Sequence, residues 1–147
     1  MSKLKSDSTS TIKGLLFQFL VALEKCFEMQ QGESVYIETY GDVSVLGNLL
    51  NSKQIESKLY KKSLTDLDKN VWKSIYNWMS EDFPIDTFSS LVLLTTQKVP
   101  IGSTWLNWNE KDPSKRMETL INIKKSFDLR QRKDKNLATY MNIVDTN

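Results

Sequence analysis

Apolar residues between positions 12 and 27 recur at the helical period, with Ile12, Leu15, Leu16, Phe19, Leu20, Leu23 and Phe27 falling on one face. The spacing predicts a helix over 11–30, with Ser10 or Thr11 as its cap and Gly32 beyond its end. The period then changes. SVYIET and DVSVLG are rich in residues that suit a pleated surface, and Gly41 between them permits a turn, so strands are predicted near 35–39 and 43–47. QIESKLY alternates Gln54, Glu56 and Lys58 with Ile55, Ser57 and Leu59, which predicts a third strand near 54–59.

Helical spacing returns at Leu67, Val71, Ile75 and Trp78, predicting a helix over 65–79 with Thr65 and Asp68 spaced as in a capping box. FSSLVLLTT is a nearly continuous apolar run of strand length, the pattern of a central strand near 90–95 covered on both faces. Asp112 as cap and Pro113 as first helical residue open a third helix over 113–127. The order helix, three strands, helix, strand, helix describes an α/β fold of three layers, a central mixed sheet flanked by helices with a right-handed crossover into the last strand. Residues 1–10 are polar and aperiodic and read as a mobile leader, and 11–128 reads as one domain. The weaker pattern over 129–147 leaves two readings open, a short last helix or a linker to a region outside this chain.

At 147 residues and 17.0 kDa the chain is long enough for one sizeable core. Its 39% hydrophobic and 26% charged residues belong to a folded protein rather than a disordered one. A net charge of +2 does not by itself call for a nucleic acid. No run reaches the ~20 apolar residues of a membrane span, so no membrane partner is expected. The absence of histidine excludes imidazole bases and imidazole metal sites. The lone Cys26 excludes an internal disulfide and a thiolate zinc cluster; it suits a reducing cytoplasm, and its helical context assigns it to the core. Any chemistry therefore rests on carboxylates, lysines, tyrosines or hydroxyls.

The acids supply a candidate. Asp42 opens the second strand, and Glu56 and Lys58 project from one face of the third with roughly 6.6 Å between their Cα atoms. Two carboxylates drawn together repel unless a cation lies between them, and a hard ion such as Mg²⁺ (or Mn²⁺) answers that need through oxygen ligands. Asp42 and Glu56 would be its side-chain ligands, with the Ser57 carbonyl as a third. Lys58 beside them could hold a water or offset charge growing on a phosphoryl group. The alternative is an exposed Glu56–Lys58 pair worth little stability.

Gln18 on the first helix, Gly41-Asp42 at a strand end, the Glu56-Ser57-Lys58 triplet and the helix carrying Trp78 together resemble the PD-(D/E)xK nuclease superfamily, with the likeness spanning residues 12–96. Within it the chain is most similar to the N-terminal nuclease domains of bacterial antiphage effectors. The resemblance implies a restriction-endonuclease-like fold and a Mg²⁺-dependent endonuclease acting on double-stranded DNA. It also implies Asp42 and Glu56 as metal ligands, Lys58 completing the centre, and Gln18 or Glu24 approaching from the first helix. A C-terminal sensor or assembly domain, or a partner subunit, would lie outside this chain, and the protein could form oligomers. The sequence departs from the family pattern at the first motif, where Gly41 replaces proline. A nuclease fold that has lost activity and serves regulation or protein interaction is the other reading.

Glu38 is a further candidate ligand or a solvated strand residue. Lys53, Lys61 and Lys62 would contact phosphate backbone if they share a cleft with Lys58, or form a charged edge that discourages strand pairing. Tyr36 and Tyr40 are candidates for stacking on bases or for packing. Trp105 and Trp108, in a loop, are candidates for an interface.

Overall fold

The computed structural model describes residues 8–48, 50–130 and 134–145; most of the expected leader and parts of the 129–147 tail lie outside them. The elements are α1 (Thr9–Glu28), β1 (Ser34–Ile37), β2 (Val43–Leu46), β3 (Lys53–Lys58), α2 (Lys69–Trp78), β4 (Ser90–Thr95), α3 (Pro113–Leu129) and α4 (Lys135–Met141). They make an α/β fold with one four-stranded mixed sheet, and helices before, between and after the strands along the chain. The described residues group into two compact units, one within Met1–Tyr60 and Asp82–Thr96, the other within Lys61–Glu81 and Gln97–Asn147. The expected span 11–128 contributes to both.

The first unit holds the whole sheet, in the order β1-β2-β3-β4. β1 pairs antiparallel with β2, β2 antiparallel with β3, and β3 parallel with β4. The register sets Ile37, Val43, Ile55 and Val92 side by side, and α1 lays Val21 and Ala22 on this row with Phe17 beside them. Because side chains alternate, Tyr36, Ser44, Gln54 and Leu91 line the opposite face, and so do Glu56 and Lys58. Phe83, Phe88, Tyr40 and Tyr36 form a ladder of ring contacts in this unit, so these tyrosines pack against neighbouring rings.

β4 is an edge strand of this sheet, with all six positions half-buried, not the doubly covered central strand that its apolar run predicts. The larger correction concerns α1. Ile12, Leu15, Leu16, Phe19, Leu20, Leu23 and Phe27, the predicted core face, are all exposed, whereas Gln18, Val21 and Ala22 are buried. Cys26, expected in the core, is exposed as well. The helix begins with Ser8 as its cap, without a side-chain capping bond, so Ser10 and Thr11 lie inside the first turn.

The second unit holds α2, α3 and α4 around Trp72, Trp105, Phe127 and Met141, all buried. Trp105 is thus core rather than interface, and its indole N–H donates to the Thr65 carbonyl at 3.0 Å. Asp68 caps α2 directly, its carboxylate accepting from the Asn70 amide at 2.9 Å, in place of a box with Thr65. Asp112 and Pro113 start α3 as their spacing predicts, and α4 falls within the C-terminal tail. Among the described residues no helix is long and apolar enough to cross a membrane.

Candidate active site

β3 outruns its neighbour. Its pairing with β2 ends at Ile55 opposite Val43, while its pairing with β4 continues through Lys58 opposite Thr95. Glu56, Ser57 and Lys58 therefore pass an open sheet end, where the Ser57 backbone N–H has no strand to meet on the β2 side. Asp42, one residue before β2, takes that place. Its Oδ2 accepts from the Ser57 amide at 2.7 Å and from the Ser57 hydroxyl at 3.0 Å. A buried-side amide without an acceptor is costly, so this contact fixes the carboxylate as well as the strand. The N–H and C=O of one strand residue point to the same side, so the Ser57 carbonyl faces the same open flank of β3 as its N–H.

Lys58 brings the second acid in. Its Nζ lies 2.8 Å from Glu56 Oε2 and 3.5 Å from Asp42 Oδ2, and the three side chains are 21%, 12% and 22% exposed. Glu56 Oε1 also accepts from the Gln54 amide group at 3.2 Å. Burial opposes the charge on Lys58 more than any other single effect does. The hydrogen bond and charge of Glu56, joined by Asp42, outweigh it and raise the lysine above its ordinary pKa. Lys58 is therefore held protonated, a donor and a positive charge rather than a base.

The turn that carries Asp42 is tied down from α1. Gln18, 5% exposed, donates its side-chain N–H groups to Glu38 Oε1 and to the Asp42 carbonyl, both at 2.7 Å, and the Glu38 amide donates to the same carbonyl at 3.2 Å. Glu38 adopts φ 57°, an uncommon value for a side-chain-bearing residue. Gly41 has φ 99°, and a Cβ there would run into Gln54 Nε2 and lie 2.9 Å from Glu56 Oε1. Proline, whose φ is fixed near −65°, cannot take this conformation.

The structure thus gathers Asp42, Glu56, Ser57 and Lys58, with Gln18 and Glu38 behind Asp42. An open cleft of about 490 Å³ is lined by Gln18, Glu38, Asp42, Ser57, Lys58 and Tyr60, with Leu15 of α1 at its rim; Glu56 is not in its wall. Glu24 does not join them, being exposed on α1 and 3.7 Å from Lys25. Lys53 opens β3 at the end away from Lys58, roughly 16 Å along the strand. It lines a separate cleft of about 470 Å³ with Lys25, Glu28 and Glu33, in which none of the gathered residues takes part. Lys61 and Lys62 are exposed and belong to the second unit. Sequence reasoning missed Gln54 as a partner of Glu56, although its place two residues earlier on the same face signals it. It also cast Ser57 only as a carbonyl donor, when its amide and hydroxyl hold Asp42.

The donor set can be weighed against a metal. Among the described residues no group of three or more acidic or thiol side chains is placed to hold one. Two carboxylates and a carbonyl form an all-oxygen set, which suits Mg²⁺, an ion that keeps several waters and takes one or two carboxylates plus substrate phosphate. The Lys58 ammonium, within reach of both acids, already supplies positive charge between them. No protein-family model, curated protein or solved structure matches the chain.

Proposed function

We propose that the first unit is a metal-dependent phosphodiesterase centre acting on nucleic acid, with Asp42 and Glu56 as side-chain ligands of Mg²⁺ or Mn²⁺. The observation that carries this reading is the convergence of Asp42, from the turn before β2, with Glu56 and Lys58 of β3, up to 16 positions away in sequence, at the open end of one sheet. Bound there with the Ser57 carbonyl as a further donor, a divalent ion would supply an acidified water and charge neutralisation at phosphorus. Lys58, kept protonated, would donate to a non-bridging phosphate oxygen or orient the water, and Gln18 would hold the Asp42 turn while it does so. Double-stranded DNA as substrate, endonucleolytic cleavage and a role as a cytoplasmic antiphage effector with a missing sensor or assembly partner rest on the resemblance to PD-(D/E)xK nucleases. So does a restriction-endonuclease-like identity for the fold.

One observation favours a second reading. Lys58 already offsets one of the two carboxylates, which is what a nuclease fold retained for protein interaction or regulation would need. Calorimetric titration with Mn²⁺ separates the two readings. The phosphodiesterase reading predicts binding that is lost in Asp42→Ala, checked as folded by circular dichroism; absence of binding to the wild type, or equal binding to the variant, favours the interaction domain.

A further inference from the structure

The exposed face of α1 is an apolar strip. Ile12, Leu16, Phe19, Leu23 and Cys26 follow spacings of four, three, four and three, the pattern by which one helix presents a continuous row to another. Leu15, Leu20 and Phe27 widen the row into an arc of about 140° without a charged residue. Exposures along the face run from 45% at Leu15 to 83% at Phe27. Single exposed apolar residues are ordinary, but a contiguous strip along a 20-residue helix is not.

From this face we infer that α1 pairs antiparallel with α1 of a second copy of the chain. Area is the first argument. The two phenylalanines, at roughly 150–250 Å² each, and the smaller aliphatic residues at these exposures offer at most about 800 Å² per copy, so two copies reach at most about 1,600 Å², within the range of a specific interface. Charge is the second. Lys13 and Glu24 flank the same edge of the strip, and both are exposed. A two-fold axis perpendicular to the helices keeps that edge facing itself and reverses direction. Centred near Phe19, it sets Lys13 of each copy level with Glu24 of the other. A parallel pair would instead set Lys13 level with Lys13 and turn the edge away from its counterpart. The interface is isologous and closed, so it stops at two copies. The inference does not depend on the site's being catalytic.

The arrangement also fixes where Cys26 goes. Antiparallel pairing sets Cys26 beside Ile12 of the other copy and about 21 Å along the axis from the other Cys26. Within one helix, positions 12 and 26 are separated by that same distance, so a disulfide between them joins two chains.

The test is the mass of the full chain in solution at tens of micromolar, combined with oxidation. Light scattering on the wild type should give twice 17.0 kDa, and Phe19→Glu, at an exposed position, should give 17.0 kDa with an unchanged circular dichroism spectrum. Mild oxidation should cross-link most of Ile12→Cys into covalent dimer while the wild type stays largely uncross-linked. A monomeric wild type, a dimer that survives Phe19→Glu, or efficient Cys26-to-Cys26 cross-linking of the wild type would each overturn the proposal.

Discussion

Asp42 holds Ser57 through both the backbone amide, at 2.7 Å, and the hydroxyl, at 3.0 Å, and so closes the end of β3 that β2 leaves unpaired. One carboxylate thereby has two tasks, completing a sheet edge and facing the cleft. Stability and the proposed chemistry are linked through it.

Asp42→Ala removes the acceptor of that amide and one of the two carboxylates facing Lys58. With Asp42 about one-fifth exposed, water restores part of the loss, and the variant should be destabilised by about 1–3 kcal/mol in urea denaturation. Asp42→Asn, which keeps an acceptor oxygen without the charge, should recover part of this. Equal midpoints for wild type and Asp42→Ala would remove the structural task from the account.

Gly41→Ala places a methyl group against Gln54 and Glu56 at a φ of 99°. Both the backbone preference and the collision oppose it, and the expected cost exceeds about 1 kcal/mol, read as a drop in Tm of several degrees. A neutral substitution would mean that the turn relaxes without disturbing Glu56.

Lys58 gives a pH signature with a definite sign. Its pKa in the folded chain is raised, so its contribution to stability is fully present below the unfolded value of about 10.4 and is lost as pH rises through the folded value. The difference in unfolding free energy between wild type and Lys58→Met should therefore stay flat from neutral pH to about 10 and shrink above it. A difference that shrinks between pH 4 and 7 instead would point to the carboxylates as its source.

The strands were legible because their signal is local. Alternation over QIESKLY marks β3, and Glu56 and Lys58 share a face as that alternation requires. What could not be read was which face of α1 is buried. Hydrophobic periodicity locates an apolar stripe but does not say whether the chain's own sheet or another surface covers it, and here Val21 and Ala22 win the sheet over Phe19 and Leu23. Burial of Gln18 likewise depends on a receptor, the Glu38–Asp42 turn, that lies 20 or more residues away in sequence. The edge position of β4 is a matter of pairing order, which an apolar run does not encode. Lys53 stands close to Lys58 in sequence, but a strand carries its two ends apart.

Whether Asp42, Glu56 and Lys58 form the proposed hydrolytic centre is decided by cleavage with Lys58→Ala. Initial rates on plasmid DNA, with structured RNA in parallel, would be compared for wild type and Lys58→Ala in Mg²⁺ or Mn²⁺ at matched fold content. A hydrolytic centre gives metal-dependent cleavage by the wild type and a loss of about 100- to 1,000-fold in the variant, the effect of removing one transition-state donor. Cleavage by Lys58→Ala at the wild-type rate, or no metal-dependent cleavage by the wild type, would contradict it.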